Sequence, residues 1–264
     1  MSSLPDICFL HQLAALSEDI TMKSYRQHIN LGVTSKLKEG FSFDPVTDAD
    51  RATEKRLREY ITLTFPNHAI LGEEYGRTGS GEYQWVIDPI DGTRPFLCGL
   101  PVWGTLIGLI HEEHAVMGMM SQPFTRERFW SDGEHSWTCG PIGQFRIQTR
   151  KNIRLHQAIL HSTSPESIAL YPNNHFEDLS SQVLMTRFGG ECYAMAMLAA
   201  GYIDICVEYS MQPYDIVPLI PIIETAGGIV TTIDGGRPEK GGAIVTCGSP
   251  TLHAEVLQIL NATN

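Results

Sequence analysis

The stretch that most constrains this chain is Trp85-Val86-Ile87-Asp88-Pro89-Ile90-Asp91-Gly92-Thr93. Residues Tyr83 to Ile87 read as a buried strand that runs into a sharp acidic turn, and Gly92-Thr93 open a short helix. Asp88 and Asp91 are separated only by Pro89 and Ile90. Two carboxylates at a strand end offer the hard oxygen donors that Mg²⁺ prefers. Pro89 stiffens the loop by fixing one backbone angle. Gly92 permits close backbone approach to a ligand, and the free N–H groups of a helix start favour an anion such as phosphate. An acidic cluster beside a phosphate cradle is what metal-assisted phosphate ester hydrolysis requires. Alone, D-P-x-D-G-T is also an ordinary turn, since Asp, Pro and Gly are turn residues.

Two further acidic stretches carry the reading beyond a turn. In Phe41 to Asp50, Thr47 with Asp50 three residues on resembles a capping box with Asp in place of Glu. It predicts a helix from about Asp48 to Thr64, ending before Pro66. Asp48 reads as a cap residue, whereas Asp50 could also reach a metal shell. Leu71-Gly72-Glu73-Glu74-Tyr75-Gly76 puts paired acids after a short apolar run, a pattern common on solvated surfaces but close to the Asp88 strand.

Along the rest of the chain, residues from about Leu4 to Gln27 have helical spacing. Gly104 to Ile110 and Ala115 to Met120 read as a hairpin around His111-Glu-Glu-His114, which lacks the H-E-x-x-H metal spacing. Glu127 to Trp130 is a further strand. Gly140-Pro-Ile-Gly143 marks a composition break, giving two halves: 1–140 with most acidic candidates, and 141–264. In the second half, Gly189-Gly-Glu-Cys-Tyr193 leads into an Ala/Met-rich helix, Ala194 to Ala200, and Tyr202 to Val207 is a buried strand. Asp215 opens a long apolar helix, Ile216 to Thr225, with Pro221 as a possible kink. At a helix start Asp215 could serve simply as a cap.

Nineteen Lys+Arg against thirty Asp+Glu give a net charge of −11, which argues against a general nucleic-acid or anionic-membrane binder. It does not exclude a phosphorylated substrate, because bound cations reverse the local charge. The six cysteines form no close metal pair and read as reduced thiols. With no secretory signal and no membrane-spanning run in the sequence, a cytoplasmic protein is expected.

Taken together, Gly72-Glu73-Glu74, Asp88-Pro-Ile-Asp91-Gly-Thr93 and Tyr214-Asp215…Ala226-Gly-Gly228 resemble the inositol monophosphatase superfamily. The chain is most similar to its bacterial histidinol-phosphate phosphatase branch, through Phe43-Asp-Pro-Val-Thr, Arg94-Pro-Phe-Leu-Cys-Gly-Leu-Pro-Val-Trp-Gly-Thr-Leu-Ile107, Gln122-Pro-Phe124, Gly189-Gly-Glu-Cys-Tyr193 and Pro213-Tyr-Asp215. The resemblance implies an α/β (α+β) fold built as a layered α-β-α-β-α sandwich, two or three Mg²⁺ ions, a small phosphorylated metabolite as substrate and a homodimer.

By the same resemblance, Glu73, Asp88 and the backbone oxygen of Ile90 hold one metal, and Asp88, Asp91 and Asp215 hold a second. Glu73, Glu74, Asp50 and Thr93 form the catalytic set, the last three positioning or deprotonating the attacking water. Asp91, Gly92 and Thr93 bind phosphate, while Glu191, Cys192, Tyr193, Glu208 and Asp215 meet the rest of the substrate. There are two departures. Tyr214 stands where inositol phosphatases usually carry Trp, and Glu191 where the histidinol branch more often carries Asp. The substrate therefore stays open between histidinol phosphate, inositol phosphate, another sugar phosphate and a nucleotide 3′-phosphate. A non-catalytic regulator of the same fold is the remaining alternative, although every expected carboxylate is present.

Overall fold

The computed structural model describes residues 4–27, 31–38, 41–172 and 174–262. The first layer is a helix pair. Helix α1 (Ile7–Ser24) starts at Asp6, whose carboxylate accepts the Cys8 N–H. After a two-stranded hairpin, β1 (Thr34–Lys38) and β2 (Phe41–Val46), comes α2 (Asp48–Thr64), spanning the residues its capping pattern predicts. Thr47 Oγ1 accepts from the N–H groups of Ala49 and Asp50, and Asp50 Oδ2 accepts from the Thr47 N–H at 2.8 Å.

Beneath the pair lies an eight-stranded sheet: β3 (Ala69–Gly72), β4 (Gly76–Thr78), β5 (Tyr83–Asp91), β6 (Gly104–His111), β7 (His114–Gln122), β8 (Glu127–Ser131), β9 (Ser136–Gly140) and β10 (Gly143–Ile147). Its order is β10-β9-β8-β7-β6-β5-β3-β4, antiparallel except for the β3–β5 pair. Leu10, Leu13, Leu57 and Ile61 of the helices pack on Trp85, Ile87 and Ile107 of this sheet. His111-Glu-Glu-His114 is the hairpin turn expected, with Glu112 and Glu113 at positive φ. Gly140-Pro-Ile-Gly143 lies in the β9–β10 hairpin rather than between layers, so the first sheet continues to Ile147.

The second sheet has the order β12-β11-β13-β15-β14, from β11 (Ile159–Ser162), β12 (Met185–Phe188), β13 (Ile205–Met211), β14 (Ile229–Thr232) and β15 (Gly242–Cys247). Helix α3 (Thr93–Cys98) follows β5; α4 (Pro165–Ala169), α5 (Phe176–Ser180) and α9 (Pro250–Leu260) accompany the second sheet. Ile168, Leu179, Leu252 and Val256 of the last three pack on its Ile205, Val207 and Val245. Between the sheets lie α6 (Glu191–Ala199) and α8 (Ile220–Thr225), whose Met195, Leu198, Ile220 and Ile223 meet Leu106, Met120 and Phe129 on one side and Cys206 and Ile244 on the other. This completes the α-β-α-β-α sandwich.

The single helix expected over 216–225 is two: α7 (Pro213–Ile216) and α8. Pro221 has no N–H to return to the Val217 carbonyl, and its ring obstructs that carbonyl. The break lies flat on the first sheet because Gly108 and Gly118 are cross-strand partners there. A Cβ on Gly118 would stand 1.9 Å from the Pro218 oxygen, and one on Gly108 3.0 Å from Pro218 Cα. Two glycines thus admit the linker that delivers Asp215 to the end of β5.

Candidate active site

The acidic stretch is not a turn after the strand: β5 runs through Asp91. Residues three apart in a regular strand point to opposite faces. Here the β5–β6 register shifts between Asp88 and Asp91, a bulge-like irregularity. The result is one cluster in which carboxylate oxygens of Asp88, Asp91 and Asp215 lie within 4.8 Å of one another. The Asp88 carboxylate accepts the Ile90 N–H at 3.1 Å. Asp215, in the first turn of α7, accepts the Gln212 N–H at 2.7 Å, so it is both cap and cluster member.

The cluster floors a cleft of about 460 Å³ that is also lined by Glu73, Ile90, Gly92, Thr93, Glu191, Cys192 and Glu208. Ten of the residues expected from the sequence therefore share one cavity. Asp50 is fully buried behind them, its Oδ1 3.4 Å from Thr93 Oγ1, which also reaches the Ile90 oxygen at 3.2 Å. Gly92 has φ +83°, and a Cβ there would lie 3.0 Å from Glu191 Cγ. Glycine is needed both for the left-handed turn and for that contact.

Besides Asp50, two expected residues do not face the cleft. Tyr193 turns into the layer between the sheets: its hydroxyl donates to Glu127 Oε2 at 2.7 Å and its ring meets Phe129 edge-on. Because α6 begins at Glu191 rather than at Ala194, Tyr193 already lies in its first turn and points across the layer. Glu74 is absent from the lining; its backbone N–H donates to Glu54. Conversely, the cleft gains Arg94, Thr163, Tyr209 and Ser210. A register shift in β13 after Glu208 and a φ of +61° at Ser210 put the last two there. Only a strand bulge could have signalled them, and bulges have no strong sequence pattern when glycine is absent.

The electrostatics are those of crowded acids. Burial, then Glu73, Asp91 and Asp215, push the Asp88 carboxyl well above the usual range. Burial raises Asp91 to about 6 despite the Cys192 N–H bond, and burial raises Asp50 to about 6. Burial with Asp91 and Glu208 nearby lifts Glu191 to about 8, with Arg94 opposing. Burial also holds Cys192 as a thiol. A divalent cation would relieve this repulsion, and an all-carboxylate donor set suits Mg²⁺. Such a donor set has the chemistry to hold a hard cation.

The comparisons agree with that chemistry. The model of the inositol monophosphatase family matches residues 5–263. The histidinol-phosphatase of Streptomyces coelicolor is 32% identical over 272 residues, covering 98% of this chain and 97% of that protein. The fructose-1,6-bisphosphatase/inositol-1-monophosphatase of Aquifex aeolicus is 31% identical, covering 98% and 97%. The solved inositol monophosphatase from Zymomonas mobilis superposes with a TM-score of 0.81 at 29% identity, covering 96% of each chain. The chain belongs to the inositol monophosphatase family, a family of phosphatases.

Proposed function

We propose that this chain is a Mg²⁺-dependent phosphomonoesterase that hydrolyses L-histidinol phosphate to L-histidinol and phosphate, a step of histidine biosynthesis. The observation that carries the substrate is the pair Glu191 and Glu208, two carboxylates beyond the metal cluster that face the same cleft. Histidinol phosphate carries an ammonium group and an imidazole next to its phosphate. Ionised acids on that wall can pair with the ammonium and accept from the imidazole N–H, whereas inositol phosphate presents only neutral hydroxyls there.

Glu73, Asp88 and the Ile90 oxygen would hold one Mg²⁺, and Asp88, Asp91 and Asp215 another, with Glu73 available to a third. When bound, the ions neutralise phosphate charge and lower the pKa of water. The chain's own groups do the rest. The N–H groups of Gly92 and Thr93 orient the phosphate. The Thr93 hydroxyl lies between the Ile90 oxygen and Asp50 Oδ1, so it can align the attacking water and pass a proton towards Asp50, whose pKa of about 6 suits a base near neutrality. Arg94, two residues after Gly92, adds a positive charge to the lining.

A neutral sugar phosphate is the second reading. Glu208 already accepts the Thr163 N–H at 3.0 Å and could accept substrate hydroxyls, and the Aquifex relative is named for sugar and inositol phosphates. A cytoplasmic homodimer acting on this small metabolite, with neither nucleic acid nor membrane as partner, belongs to the same proposal. Among the described residues no helix is long and apolar enough to cross a membrane; light scattering tests the dimer.

The deciding experiment is phosphate release from histidinol phosphate, inositol 1-phosphate and fructose 1,6-bisphosphate, with Mg²⁺ and with chelator. Histidinol phosphate should give the highest kcat/KM, and chelator should abolish all turnover. Preference for inositol phosphate overturns the substrate; turnover in chelator overturns the metal. Asp88→Asn should remove nearly all activity.

A further inference from the structure

Behind the cleft, Glu54 of α2 is a fully buried carboxylate that the chemistry above does not use. Its Oε2 accepts the Glu74 N–H at 2.6 Å and its Oε1 the Tyr75 N–H at 3.2 Å. The charge is balanced by Arg58 one helical turn on, whose Nε reaches Oε1 at 2.7 Å. The same guanidinium donates to the Gly76 oxygen and to Thr78 Oγ1, so it also grips the returning strand β4. Gly72 lies against the carboxylate: a Cβ there would stand 2.1 Å from Glu54 Oε1. On the other side the Glu73 N–H donates to the Ile87 oxygen, at the foot of Asp88.

Glu73 is thus clamped between β5 before it and Glu54 after it, and it lines the same cleft as Asp88. Two acids brought together without a cation repel, and a loose turn would swing Glu73 outward. We propose that Glu54, held by Arg58, is the positioning residue that fixes Glu73 in the metal cluster before any ion arrives. This rests on the metal reading above. Burying a carboxylate is costly unless it is paired and hydrogen-bonded, and here both conditions are met at the turn that carries a metal ligand. Groups that orient metal ligands typically change metal affinity by ~10–100-fold when removed.

Two measurements test this. In the wild-type protein, hydrogen exchange at the amides of Glu74 and Tyr75 should be slow in chelator and no faster than with Mg²⁺. Free exchange in chelator overturns pre-positioning. In Glu54→Gln, which loses the charge and at least one acceptor bond, Mg²⁺ affinity by calorimetry should fall ~10-fold or more, while kcat at saturating Mg²⁺ stays within a few-fold. A lower Tm with unchanged Mg²⁺ affinity overturns the proposal and leaves Glu54 a structural residue. Should Glu54→Gln not fold, Glu54→Asp keeps the charge but is too short to reach both amides, and the same affinity criterion applies. A wild type that takes up no Mg²⁺ overturns the metal reading itself; a wild type that binds Mg²⁺ no better than Glu54→Gln overturns only this inference.

Discussion

The main-chain N–H of Cys192 donates to Asp91 Oδ2 at 2.8 Å, across 101 residues of sequence. The donor is one of the otherwise unpaired N–H groups of the first turn of α6, and the acceptor is a member of the acidic cluster. This bond joins the first sheet to α6 at the cleft. It fixes the Glu191 wall relative to the acidic cluster, and it opposes the rise in the Asp91 pKa that burial causes. The acidic cluster and the Glu191 wall of the cleft are therefore built as one unit.

Away from the cleft, Asp204 closes the second sheet. It is fully buried and accepts from Arg150 Nε at 2.9 Å and from the Ile159 N–H at 2.8 Å, at the start of β11. Removing one member of a buried pair costs roughly 3–5 kcal/mol; Arg150 is 41% exposed, which puts Asp204→Ala at the low end. Tm should fall by roughly 6 °C or more, at about 2–4 °C per kcal/mol for a chain of this size. Turnover per folded molecule should not change. Calorimetry with a parallel assay checks both, and an unchanged Tm would show the ion pair to be ornamental.

Thr93→Ala separates water alignment from metal binding. It keeps every carboxylate and deletes only the hydroxyl between Asp50 and the Ile90 oxygen. Turnover should drop ~10²–10⁴-fold, the usual loss for a positioned proton-transfer group. Mg²⁺ affinity should barely move. Parallel loss of affinity in a calorimetric titration would make Thr93 a metal ligand instead.

What the sequence disclosed and what it hid have separable causes. The helix Asp48–Thr64 was legible because Thr47 and Asp50 satisfy its first N–H groups locally. The acidic cluster was legible in its membership only through the resemblance of three separate motifs to one family, since Asp88-Pro-Ile-Asp91 alone also reads as a turn and Asp215 alone as a helix cap. Its geometry was not: a strand reading puts Asp88 and Asp91 on opposite faces, and only the register shift against β6 reunites them. Tyr193 was misassigned because the start of α6 at Glu191, with φ +47°, follows from the Asp91 bond rather than from local propensity. Glu54 went unremarked because an acid four residues before Arg58 looks like a surface pair, whereas its side chain is wholly buried. Contacts distant in sequence decide each of these positions.

The metal-free protein should lose stability as pH rises. Asp50 and Asp91 sit at about 6 and Glu191 at about 8 in the fold, above their ordinary carboxylate values of 3.8 and 4.5. The folded state then binds more protons than the unfolded chain, so stability is greatest below the unfolded values and declines through the window from about 4 to 8. In chelator, Tm should be higher at pH 5 than at pH 8.5. Added Mg²⁺ should restore more at pH 8.5, because ionised carboxylates bind it better. Thermal melts at both pH values with and without Mg²⁺ give the answer, and a flat Tm in chelator would mean that these acids are not raised.

Glu191→Gln tests the substrate most directly. Burial, then repulsion from Asp91 and Glu208, lifts the Glu191 carboxyl to about 8, while Gly92 packs against its side chain. A substrate ammonium would reverse that by pairing with the ionised form. A helix-start acid that merely complements the dipole contributes roughly 0.3–1 kcal/mol, whereas a hydrogen bond to a charged group contributes about 1.5–3 kcal/mol. The substitution should therefore lower kcat/KM for histidinol phosphate roughly ten-fold or more, with kcat/KM for a neutral sugar phosphate nearly unchanged. Because Gln is isosteric, the Gly92 contact survives and the phosphate cradle stays in place. The wild-type kcat/KM for histidinol phosphate should also rise with pH as Glu191 ionises, and Glu191→Gln should remove that limb of the profile. Equal losses for both substrates would reduce Glu191 to a structural wall of the cleft and leave a phosphatase of neutral sugar phosphates as the surviving reading.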